Sequence, residues 1–81
     1  LAFPEDPQGA LERRELAAAI SDFLRTQPSV RQKAFLLRYW YYEPIASISK
    51  KTGWKEARVY TELYRMRKKL KTYLREEGYA L

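Results

Sequence analysis

Between residues 59 and 74 one pattern leaves the backbone little choice. Val59, Leu63, Met66, Leu70 and Leu74 recur at spacings of four, three, four and four. At about 100° per residue they fall on one stripe of an α-helix, whereas a strand would scatter them over both faces. The opposite face carries Ala57, Thr61, Tyr64 and Lys68, flanked by Arg58, Tyr60 and Arg65. A helix with a single apolar stripe has to bury it against other elements. The rest of the 81-residue chain must therefore supply partners for a basic helix running from Trp54 to about Glu77.

Three further helices are read from the preceding residues. Leu16, Ala19, Ile20, Phe23 and Leu24 share one face of a helix expected over 10–27, and Pro28 ends it. Ser29-Val30-Arg31-Gln32 fits a capping box and opens a second helix. Its apolar positions are Val30, Ala34, Leu37 and Tyr41, and the stretch Leu36-Leu37-Arg38-Tyr39-Trp40-Tyr41-Tyr42 is expected to close the core. A third helix opens at Glu43-Pro44, with proline at its first position and Ile45, Ile48, Ser49 and Thr52 inward. Gly53 stands where a left-handed residue ends such a helix.

A short helix, a glycine turn and a longer basic helix are the parts of a helix-turn-helix, whose second helix enters the DNA major groove. No strand pattern appears, so the expected fold class is all-α: a four-helix bundle containing a helix-turn-helix, without a wing. Residues 1–9 have linker composition and suggest a tether from an upstream domain, leaving 10–81 as the helical domain.

Charge separates the two halves. Residues 1–49 hold six Lys/Arg and six Asp/Glu, while residues 50–81 hold ten and four, so the whole excess of +6 lies on the second half. A polyanionic partner addressed by that half would explain the asymmetry; a solvated lysine-rich helix would show it too. Catalysis is poorly provided for. The chain has no histidine and no cysteine, which leaves no sequence-evident general base, no thiolate and no ordinary zinc ligand set. Neither enzymatic activity, nor a cofactor, nor a metal is expected. With no apolar run near the ~20 residues that span a bilayer, a cytoplasmic location is expected.

Candidate contacts to DNA follow from the same pattern. Lys50, Lys51 and Lys55 cluster at the turn, and Arg65, Lys68 and Lys69 lie further along the helix, where they suit phosphates. Lys55, Glu56, Arg58, Thr61 and Glu62 lie on the first turns, where base edges are read; Arg58 suits guanine, and Glu56 or Glu62 suits cytosine. Ala57 is small enough for close approach. Tyr60 and Tyr64 either pack on helices two and three or reach phosphates through their hydroxyls.

Leu37-Arg38-Tyr39, then Ile48, Gly53, Val59, Arg65, Arg67 and Leu70, resemble region four, the C-terminal promoter-binding domain of bacterial RNA polymerase sigma factors. The resemblance covers residues 11–74 and is nearest to factors of the extracytoplasmic-function kind. The family usually has alanine where Ser49 stands, a polar cap where Pro44 stands and serine where Lys55 stands, so the cap of the recognition helix is weaker here. The resemblance implies binding of the promoter −35 element, docking on the flap of the polymerase β subunit, and sequestration by an anti-sigma factor. It places Lys55, Glu56, Ala57, Arg58, Thr61 and Arg65 against DNA, with Lys50 and Lys51 on phosphates. Two other readings remain open: a helical protein-interaction module, and the helix-turn-helix of a response-regulator-type transcription regulator. A membrane-surface helix is disfavoured, because the core requires the apolar stripe.

Overall fold

The computed structural model describes residues 7–79 as four helices: α1 (Pro7–Arg25), α2 (Ser29–Tyr39), α3 (Ile45–Thr52) and α4 (Glu56–Glu76). No strand occurs among the described residues. α4 is the common support: α1, α2 and α3 each pack against it, and α2 packs against α3. The five-residue stripe read from the sequence is the reason. Val59, Leu63, Met66 and Leu74 are buried and Leu70 is half-buried.

Two clusters share that stripe. Ala34, Ile45, Ile48, Val59 and Leu63 join α2, α3 and the first half of α4, with Leu37 and Trp54 packed against them. Phe23, Leu24, Phe35 and Met66 join α1 and α2 to the second half, with Ile20, Leu70 and Tyr73 alongside. Each fully buried side chain of this kind stabilises the fold by about 1.5–3 kcal/mol. The first cluster fixes α3 relative to α4. The second holds the far half of α4 down, with Phe23 and Tyr73 in ring contact at 5.6 Å. The far end of α4 is therefore packed as far as Leu74, and only its cationic side, including Lys68, Lys69 and Lys71, is bathed in solvent.

Several boundaries and contacts differ from expectation. α1 starts at Pro7, so Pro7–Gly9 belong to its first turn, where a proline lacking N–H is tolerated; the rest of the expected tether lies outside the described residues. α1 ends at Arg25, with Thr26 N–H and Gln27 N–H donating to the Phe23 and Leu24 carbonyls at 3.0 Å. The capping box at α2 does not form. Pro28 occupies the cap position, Ser29 is already inside the helix, and the Gln32 amide donates instead to the Gln27 carbonyl at 2.7 Å. Pro44 likewise caps α3 from outside, one position before the expected one.

The aromatic stretch also departs from expectation. Phe35 is buried, but Trp40, Tyr41 and Tyr42 are 71%, 65% and 83% exposed, and Val30 is exposed as well. The helical period that would have carried Tyr41 inward stops at Tyr39. Trp40 N–H and Tyr41 N–H both donate to the Leu36 carbonyl, Tyr42 takes φ 55°, and Glu43 N–H returns to the Leu37 carbonyl at 2.9 Å. That reversal places three aromatic side chains outside the bundle.

Candidate nucleic-acid interface

The turn between α3 and α4 is built on one residue without a side chain. Gly53 has φ 78° and ψ 3°, a left-handed conformation that glycine adopts without strain, and its N–H donates to the Ser49 carbonyl at 3.0 Å. Thr52 secures both sides of the turn. Its hydroxyl donates to the Ile48 carbonyl at 2.7 Å and accepts from Trp54 N–H at 3.2 Å, while Ser49 Oγ donates to the Trp54 carbonyl. Trp54 is thereby set against the first core cluster. No side chain caps α4, whose cap position is Lys55, as its lack of a hydroxyl predicts.

Twelve of the thirteen candidate DNA-contacting residues are exposed, namely Lys50, Lys51, Lys55, Glu56, Ala57, Arg58, Tyr60, Thr61, Tyr64, Arg65, Lys68 and Lys69, and Glu62 is buried. Lys50 and Lys51 close the last turn of α3, where cations suit the helix dipole. The outer face of α4 presents Ala57, Thr61, Tyr64 and Lys68 in line, because its inner face is committed to Val59, Leu63 and Met66. Tyr60 and Tyr64 are 60% and 53% exposed, so packing on α2 or α3 does not account for them. The Tyr64 ring instead carries two cations, Lys68 at 5.3 Å and Arg67 at 5.9 Å from its centroid. Arg67 also donates to the Tyr39 hydroxyl, which ties α4 to α2 behind the exposed face.

Glu62 is not available to a base. It is 4% exposed, and Arg31 of α2 donates to its Oε2 at 2.8 Å. One face of a helix cannot both pack and read, and Glu62 sits beside Leu63 at the edge of the packed stripe. Its other oxygen, Oε1, lies 3.7 Å from Arg58 Nε, and the Arg58 guanidinium carbon lies 4.9 Å from the centroid of the Trp54 ring. Glu62 stands four residues after Arg58, a spacing that juxtaposes side chains on a helix, whereas Trp54 lies in the turn before α4, where helical spacing gives no signal. Arg31 gave no local signal, being 31 residues from Glu62.

A family model described as "Sigma-70, region 4" matches residues 17–70, more than half of the chain. The chain belongs to the sigma-70 region 4 family. No curated protein and no solved structure matched. The region 4 domain is a DNA-binding helix-turn-helix of transcription initiation, from a family without enzymatic activity that works with promoter DNA and RNA polymerase. The match begins inside α1 and ends at Leu70 in α4. No helix among the described residues is long and apolar enough to cross a membrane.

Lys51 of this region 4 domain is partly engaged within the protein. Its ammonium pairs with Glu43, which also accepts from Ser47 Oγ at 2.7 Å. The Lys51 and Ser47 hydrogen bonds hold the Glu43 carboxyl below the usual carboxylate range. A depressed folded-state pKa contributes stability that is present above the unfolded value, about 4.3, and lost as pH falls through the folded value. Thermal melts of wild type and Glu43→Gln should therefore differ at pH ~7 and converge under acid. Curves that stay parallel down to pH ~2 would show that Glu43 contributes nothing through its charge.

Proposed function

We propose that this domain recognises the −35 promoter element as the region 4 module of an extracytoplasmic-function-type sigma factor, with α4 in the major groove. The observation that carries the reading is the division of α4: one side is consumed by the core, and the other leaves Ala57, Arg58, Thr61 and Arg65 exposed together. In this reading Arg58 hydrogen-bonds guanine through O6 and N7, and Glu56 accepts from a cytosine amine. Ala57 lets the helix approach closely, with Thr61 and Arg65 following the groove. Lys50, Lys51 and Lys55 hold phosphates on one side, and Lys68 with the Tyr60 and Tyr64 hydroxyls holds them on the other.

The partner surface lies elsewhere. An open apolar groove of about 540 Å³ runs between α1 and α2, lined by Ile20, Leu24, Phe35, Leu36, Trp40 and Tyr41 among others. We assign it to the flap of the polymerase β subunit, a site that an anti-sigma factor would compete for. The same exposed aromatics are what favour the second reading, a protein-interaction module with little DNA affinity of its own.

Salt dependence separates the two. Binding to a fluorescent duplex, titrated over a range of salt concentrations, should give log K falling linearly with log salt, with about −0.9 for each phosphate neutralised. A slope near zero, with flap binding intact, would leave only the protein-interaction reading.

A further inference from the structure

We propose that Glu62, together with Trp54, is a positioning residue that aims Arg58 at its base. The inference rests on the reading of α4 as the base-reading helix and adds to it the device that orients the reader. Arginine is long and flexible, and an unbraced one on an exposed helix face samples many rotamers before it meets a base. Arg58 is braced on two sides. The Trp54 ring lies under its guanidinium at 4.9 Å, and Glu62 Oε1 lies 3.7 Å from its Nε. Both braces are themselves fixed. Trp54 is packed against the core and its backbone is held by Thr52 and Ser49. Glu62 is almost fully buried, and its second oxygen is taken by Arg31 Nε at 2.8 Å.

The chemistry suits guanine. A carboxylate on the Nε side engages neither terminal amino group of Arg58, and those two groups are the fork that pairs with O6 and N7. A flat ring beneath the guanidinium adds a cation–π contact without occupying any of its donors. Glu62 thus acts on the base only through Arg58. It also repels phosphate, so its presence lowers affinity for duplex in general while sharpening the response to one base.

The test uses the 81-residue chain and a duplex library with a randomised segment, sequenced before and after selection, beside affinity for a fixed random duplex and a thermal melt. Glu62→Gln keeps the shape and can still accept from Arg31. It should lose about tenfold in discrimination at the position read by Arg58, while affinity for random duplex stays level or rises. Arg31→Met removes the other partner of Glu62 but leaves the carboxylate held by its burial in α4, and so serves as the structural control; it should lower the melting temperature and leave discrimination in place. In the double variant Arg58→Ala/Glu62→Gln, the second change should have no further effect on discrimination. If Arg58→Ala relaxes one position and Glu62→Gln does not, the positioning role is wrong and the base-reading role stands. If Arg58→Ala relaxes nothing, the base-reading role itself fails. A uniform loss of affinity in Glu62→Gln that tracks its melting temperature and matches Arg31→Met would show a purely structural ion pair.

Discussion

Ile48→Ala should unfold a large part of the population at temperatures where the wild-type domain is folded. Ile48 is completely buried and is the point at which α3 meets α2 and α4, in a cluster with Ala34, Ile45, Val59 and Leu63. Truncation removes its outer carbons and leaves a cavity between three helices, at a cost of about 2–5 kcal/mol. A domain of this size has about 5–15 kcal/mol in all, and this one has no disulfide to limit its unfolded state. In a domain of this length the corresponding fall in Tm is about 10–30 °C. α3 has only eight residues and would be marginal alone, so it is stable only while Ile45 and Ile48 anchor it. DNA binding should fall with the fold, since Lys50 and Lys51 are carried on that helix. Leu11→Ala is the comparison, because Leu11 is largely exposed and its truncation should change stability by no more than about 0.5 kcal/mol. Circular-dichroism melts decide the matter: an Ile48→Ala domain that melts with the Leu11→Ala domain would mean that α3 is not held by this cluster.

The parts of the fold legible in the sequence are those determined within a few residues. The α4 stripe has a period no strand reproduces, and Gly53 occupies a backbone conformation that disfavours every other residue at that point. The exposed face of α4 followed from the stripe by subtraction. What could not be read depends on partners distant in the chain or on where a helix stops. The composition of Trp40, Tyr41 and Tyr42 suits a core, yet the helix ends one residue before them and the chain reverses through a left-handed Tyr42. Spacing alone puts Glu62 among the base readers. Its pairing with Arg31 of α2 appears only once α2 is docked on α4, and burial beside Leu63 then removes it from any groove. Ser29 and Gln32 matched a capping box in sequence, but Pro28 had already taken the cap position. Local patterns thus identified the elements and the exposed face of α4, whereas the Arg31–Glu62 pair behind Arg58 came from tertiary packing.

Arg58→Ala and Lys50→Ala should both weaken binding to promoter DNA, and the two losses should differ in kind. Lys50 lies at the end of α3, and in the proposed reading it meets phosphates, which every sequence presents alike. Its loss should lower affinity for specific and random duplex by the same factor and reduce the salt slope by about 0.9, the share of one phosphate. Arg58 stands in the first turn of α4 with its guanidinium braced and its side chain exposed. A bidentate contact from arginine to guanine discriminates by about 1–3 kcal/mol, so Arg58→Ala should relax one base position by about 5- to 150-fold. Affinity for random duplex should change far less. Competition binding with duplexes carrying each base at each position separates the two effects, and the salt titration supplies the second axis. Should both variants lose equally on specific and random DNA, Arg58 is another phosphate contact, and the sequence reading must come from Glu56, Thr61 or Arg65. Should neither variant change the salt slope or the base preference, the exposed face of α4 is not the surface that meets DNA.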